Sequence, residues 1–139
     1  MPKLLKNILE LMGVVFLRFA AVPRLWCVWL VGLHGVGLAF IGHVEAQVIL
    51  GVTAAAVVVQ ALIYGRIGFT RILGTSHLLW IPMFAWIATR VDGIAADPAL
   101  ATWLVALAAT NAACLIVDAV DAWRFYRGDR APHYTWARA

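Results

Sequence analysis

The chain has 139 residues, 64% of them hydrophobic and 13% charged, with a net charge of +4. A soluble domain carries about 25% charged residues and a disordered chain is poor in apolar ones, so the composition excludes both and points to a membrane protein. The positive excess flanks apolar runs instead of forming a basic stripe on a soluble element, so its natural partner is anionic lipid and not nucleic acid.

Residues 3–20 predict an amphipathic helix. Leu4, Leu5, Ile8, Leu11, Met12, Val15, Phe16 and Phe19 recur at helical spacing, with Lys3, Lys6, Asn7 and Glu10 on the other face. Such a helix lies in the interface with its apolar side in lipid, or packs on a bundle or partner subunit. Lys3 and Lys6 could open a signal peptide, but Asn7, Glu10 and Arg18 interrupt the apolar stretch that one requires. Pro23 is expected to break this helix from the next. Residues 1–22 therefore read as an interfacial helix, 23–127 as a bundle and 128–139 as a polar tail.

Four apolar runs follow, at about 25–41, 46–64, 69–88 and 98–123. Each approaches the roughly 20 residues that cross a bilayer core. The short joins make neighbours antiparallel. The expected fold is all-α, an integral membrane four-helix bundle. Small residues mark faces for close helix approach: Gly32, Gly35, Ala39 and Gly42 in the first run, and Ala101, Ala108, Ala112 and Ala119 in the last. Pro82 is expected to kink the third run and open its outer half.

Charge orients the bundle. Lys3, Lys6, Arg18, Arg24, Arg66, Arg71, Arg124, Arg127, Arg130 and Arg138 fall on one side, and Arg90 alone falls on the other with Glu45, Asp92 and Asp97. The positive-inside rule then makes both termini cytoplasmic, in a bacterial inner membrane. Trp26, Trp29, Tyr64, Trp86, Trp103, Trp123 and Tyr126 occupy belt positions. Trp80 lies deeper, where its indole N–H is expected to need a partner.

Polar groups inside the runs are the first place to look for function. His34, His77 and Asn111 fall near mid-membrane. Gln60, Asp118, Arg71 and Cys27 fall in the inner third, with Asp121 closer to water. The middle set has three competing readings: interhelical hydrogen bonding, haem ligation by His34 and His77 as axial ligands, or a small-ligand, lipid or proton site. The lower set reads as ion pairing or as a proton or cation path through Asp118. Arg71 is the expected partner of Asp118, with Gln60 nearby. No metal site is expected, because Cys27 and Cys114 are isolated and behave as small apolar residues. His43-Val44-Glu45 has the His-x-Glu spacing of zinc deaminases but lacks their cysteine pair.

Residues 68–82 (GFTRILGTSHLLWIP) and 116–130 (IVDAVDAWRFYRGDR) resemble the third span and the final span with tail of short four-span inner-membrane proteins of proteobacteria. The resemblance covers residues 23–130. It implies the same topology, draws attention to Arg71, His77, Asp118 and Asp121, and implies no activity. The sequence favours a small non-enzymatic membrane protein, an accessory subunit or binding scaffold in a larger complex or homo-oligomer. A haem- or ligand-binding protein and a small conductor are the alternatives.

Overall fold

A computed structural model describes residues 2–131. Arg138 and the rest of the expected tail beyond Ala131 lie outside the described residues. Within them the chain is helical, with no strand.

Helix α1 (Lys3–Gly13) runs into a π-helical stretch at Val14–Arg18, and α2 begins at Ala21 (Ala21–Gly35). The break therefore precedes Pro23. That proline sits in the first turn of α2, where its missing N–H removes no intrahelical bond. Arg24 bridges the break, its guanidinium donating to the carbonyls of Leu17 (3.2 Å) and Phe19 (2.7 Å), which answers carbonyls a helix end leaves unpaired. Asn7, expected on the polar face of α1, is buried. Its Nδ2 donates to the Ala61 carbonyl at 3.1 Å, and a side chain at Gly65 would collide with it. Helix α1 is thus anchored on α3 (Val44–Ile67), while Leu4, Leu5 and Leu9 remain exposed.

Three helices are long and apolar enough to cross a membrane: α2 with its 3₁₀ end, Ala21–Phe40; α3; and α6, Pro98–Tyr126. The expected third run differs. It is a nine-residue 3₁₀ helix at Arg71–Leu79 followed by α4, Trp80–Ala88. Pro82 again falls in the first turn of its α-helix, which runs unbroken from Trp80 to Ala88, so the kink expected at Pro82 is not found; the helix type changes ahead of it, before Trp80. An apolar cavity of about 560 Å³ does lie beside α4, lined by Ile81, Phe84, Leu104 and Ala108 among others. A short helix α5 (Val91–Ala95) interrupts the last join. Helix α6 starts on Pro98, with the Asp97 carboxylate accepting from the backbone N–H groups of Ala99 and Leu100, as an N-cap does. It ends at Gly128, whose φ of 98° suits glycine.

The small-residue faces mark the contacts only in part: Ala101 packs against the core, and the glycine face does not. A Cβ at Gly32, Gly35 or Gly42 would meet no neighbour within 4 Å, whereas one at Gly37 would lie 3.0 Å from the Trp103 indole. On α6 the buried face is Leu100, Trp103, Leu104, Leu107, Asn111, Cys114 and Asp121, and Ala112 and Ala119 are exposed. Large apolar side chains cover the outside: Leu25, Val28, Val31 and Leu38 on the α2 segment, and Val105, Ile116, Val117 and Val120 on α6. A water-exposed surface rarely carries so continuous an apolar face, and a lipid-exposed one does.

Candidate functional site

The 3₁₀ helix builds the site. With three residues per turn, positions three apart eclipse one another, so Arg71, Gly74, His77 and the following Trp80 stack along one face. This face packs on α6, where Cys114, Asp118 and Asp121 share the i, i+4, i+7 face of an α-helix. The two rows meet rung by rung. Arg71 Nη1 donates to Asp121 Oδ1 at 3.0 Å, and its Nε lies 3.4 Å from Asp129. The Asp118 carboxyl lies over Gly74, where any Cβ would strike it. His77 Nδ1 donates to Asp118 Oδ2 at 2.8 Å.

The expected Asp118–Arg71 pair is therefore replaced by two others, Asp118–His77 and Asp121–Arg71. The reason is the helix type. In an α-helix residues 71 and 77 would point apart, whereas the 3₁₀ turn aligns Arg71 with His77 and sends them to successive carboxylates.

Both ring nitrogens of His77 have polar partners. The Asp118 carboxylate only accepts, so Nδ1 carries the proton. Nε2 then offers a lone pair, to which Gln60 Nε2 donates at 3.0 Å. Cys114 Sγ completes the group, 3.7 Å from Asp118 Oδ2 and 3.8 Å from His77 Nδ1. Gln60, expected beside Arg71, belongs to His77. Cys114, expected from the sequence to be a small apolar residue, belongs to this group. Its only signal was the four-residue spacing to Asp118.

His34 forms a second, separate set. Its Nδ1 donates to the Leu30 carbonyl at 2.8 Å, and Asn111 Nδ2 donates to its Nε2 at 3.3 Å. Asn111 is fully buried. Trp80 joins the two sets, its ring stacked with His77 at 4.1 Å and with His34 at 5.4 Å between centroids. The indole N–H expected to find a partner is buried without a hydrogen bond. Haem held between His34 and His77 would need both ring nitrogens now engaged by Gln60 and Asn111, and would have to displace the shared indole. The structure thus brings His77 together with Asp118, Gln60 and Cys114, and His34 with Asn111.

The two ends of the molecule carry the remaining ion pairs. Arg90 Nε donates to Glu45 at 2.6 Å, and His43 lies 3.5 Å from Asp97. At the other end Arg124 holds Asp129 at 2.7 Å. Partial burial raises the pKa of Asp129. The Arg124 hydrogen bond and the charges of Arg71 and Arg124 more than offset this, leaving the carboxyl below its ordinary range. Comparison with protein-family models, curated proteins and solved structures gives no match.

Proposed function

We propose that the chain is a non-enzymatic, four-span integral membrane protein that acts as a binding scaffold, with its binding centre at His77 and Asp118. The fourth span is the composite segment of residues 71–88. Nine 3₁₀ residues rise about 18 Å at roughly 2.0 Å each, and nine α-helical residues add about 13 Å. The sum, about 31 Å, matches a hydrocarbon core of about 30 Å. The Glu45–Arg90 and His43–Asp97 pairs at one end, and the Arg71–Asp121–Asp129–Arg124 cluster at the other, fit two headgroup regions. With the bias of basic residues they support both termini being cytoplasmic.

The observation that carries the binding centre is Gly74. The chain leaves out a side chain at the one position where a Cβ would strike the Asp118 carboxyl. It thereby seats an imidazole–carboxylate pair in a largely apolar interior, where ionisable groups are costly unless they serve a role.

Two experiments test the reading. A cysteine at Asp92 or Asp97, in a background without Cys27 and Cys114, should react with an impermeant thiol reagent in intact cells, and one at Gly128 should not. Labelling at Gly128 overturns the orientation. Native mass spectrometry of the chain purified in mild detergent should show a retained ion, small molecule or protein that Asp118→Asn loses. A wild-type chain that retains nothing, or an unchanged variant, overturns the binding centre.

A second reading rests on the apolar cavity beside α4, α5 and α6. Its volume of about 560 Å³ lies within the range of ligand sites, and its apolar lining suits a lipid acyl chain. A spin-labelled acyl chain should then broaden resonances of Phe84 and Leu104, and uniform broadening over the surface would count against it.

A further inference from the structure

We propose that His77, Cys114 and Asp118 form a site for one divalent transition-metal ion of the zinc class, inside the membrane-spanning part of the chain. This rests on the binding-scaffold reading for its location and goes beyond it in naming the ligand.

Geometry is the first argument. The three donor atoms form a triangle with edges of 2.8 Å (His77 Nδ1 to Asp118 Oδ2), 3.8 Å (His77 Nδ1 to Cys114 Sγ) and 3.7 Å (Cys114 Sγ to Asp118 Oδ2). All three lie within 4.8 Å of one another. Three corners of a tetrahedron around zinc, with its usual bond lengths, stand about 3.4–3.6 Å apart. The two sulfur edges already match within a few tenths of an ångström, and the short edge opens once the ion replaces the shared proton.

Chemistry is the second. One nitrogen, one sulfur and one oxygen donor suit zinc or cobalt, whereas magnesium and calcium require oxygen ligands. A divalent ion with one thiolate and one carboxylate is electrically neutral, so its burial avoids the charge penalty of an apolar interior. The protons balance. The Cys114 thiol releases one proton to solvent, and the His77 proton moves from Nδ1 to Nε2. Charges of +2 and −1 become a neutral site and one released proton.

Support around the ligands is the third. Metal-bound histidines almost always donate the other ring N–H to an acceptor. Gln60 stands at that nitrogen at 3.0 Å, and a half-turn of its amide presents the oxygen. Trp80 stacks within 12° of parallel on the ring and fixes its plane. Gly74 provides the room in which Asp118 approaches. Two ligands lie one turn apart on α6 and the third on the facing 3₁₀ helix, which leaves a fourth position for water or an exchanging ligand.

The test is cobalt titration of the full chain in detergent, freed of metal by chelation. One equivalent should produce visible bands of tetrahedral intensity and a thiolate-to-cobalt charge-transfer band, both removed by zinc. Cys114→Ser should abolish the charge-transfer band, and Cys27→Ser should keep it. Gln60→Ala, which removes no ligand, should weaken binding about 10- to 100-fold. Helical circular dichroism checks that each variant folds. Should Cys114→Ser fail that check, His77→Gln takes its place and should weaken binding at least as much as Gln60→Ala. The absence of a charge-transfer band in the wild type, or its survival in Cys114→Ser, overturns the site. A chain that retains another partner in native mass spectrometry yet gives no cobalt band overturns the metal and leaves the scaffold reading standing.

Discussion

His34 and His77 stack on the same indole, yet their surroundings differ in kind. His34 is buried and meets a backbone carbonyl and the amide of Asn111, all of them neutral groups. His77 meets a carboxylate, a thiol and an amide, at a point where the backbone is bare at Gly74. The first arrangement exchanges a hydrogen bond between helices and gathers no charged or thiol donor. The second gathers three donor types that a cation recognises. Two histidines expected at one depth are therefore two different things in the fold: one holds α2 to α6, and the other is the centre of the proposed site.

The largest effect is expected just below His77. Arg71→Gln removes the cation from the buried Asp121 carboxylate and should destabilise the chain by about 3–5 kcal/mol in a detergent melt. Asp121→Asn should cost less, because Asp129 still faces Arg71. Asp118→Asn should cost about 1 kcal/mol or less, since an asparagine oxygen can still accept from His77 Nδ1. This order reverses the one expected if Arg71 were paired with Asp118. A larger loss for Asp118→Asn than for Asp121→Asn would restore that pairing.

Next comes Gly74→Ala, which forces a methyl against the Asp118 carboxyl and should cost about 1–3 kcal/mol. Gly35→Ala, with open space around its Cβ, should instead gain up to about 1 kcal/mol in the helix. Equal effects would mean that Gly74 is not there for Asp118.

Asn111→Ala strips His34 Nε2 of its donor and should cost about 1–3 kcal/mol while leaving cobalt binding unchanged. Gln60→Ala should do the converse, with little change in the melt and weaker cobalt binding. The smallest effect is in pH. Asp129 has a folded pKa below its ordinary value, so its contribution is present at neutral pH and fades as the pH falls below about 4. Asp129→Asn should lower the melt temperature above pH 6, where the charged carboxylate contributes, and converge on the wild type as the pH falls below about 4.

How much of this was legible can be argued residue by residue. The helical class, the apolar runs and the charge asymmetry follow from composition and spacing, because a stretch such as residues 44–67 has no other way to bury its backbone polar groups in lipid. Pro23 is expected from the sequence to break a helix and Pro82 to kink one, but both fall in the first turn of an α-helix, which needs no N–H. Asp97 is read from the sequence only as a charge on the outer side, and its capping of α6 emerges in the fold. The 3₁₀ run at Arg71–Leu79 was not legible. Its residues fit either helix, and packing on α6 decides between them, yet it governs which carboxylate each side chain meets. Cys114 was hidden for the same reason. Its four-residue spacing to Asp118 carries meaning only once His77 faces both.

The most direct test of the difference between the two histidines is nitrogen NMR of the ¹⁵N-histidine-labelled chain during zinc addition. The account predicts that the His77 Nδ1 resonance moves to a metal-bound position with one equivalent of zinc, while both His34 nitrogens stay within their starting line widths. A shift at His34, or no shift at His77 while zinc remains bound, would contradict it.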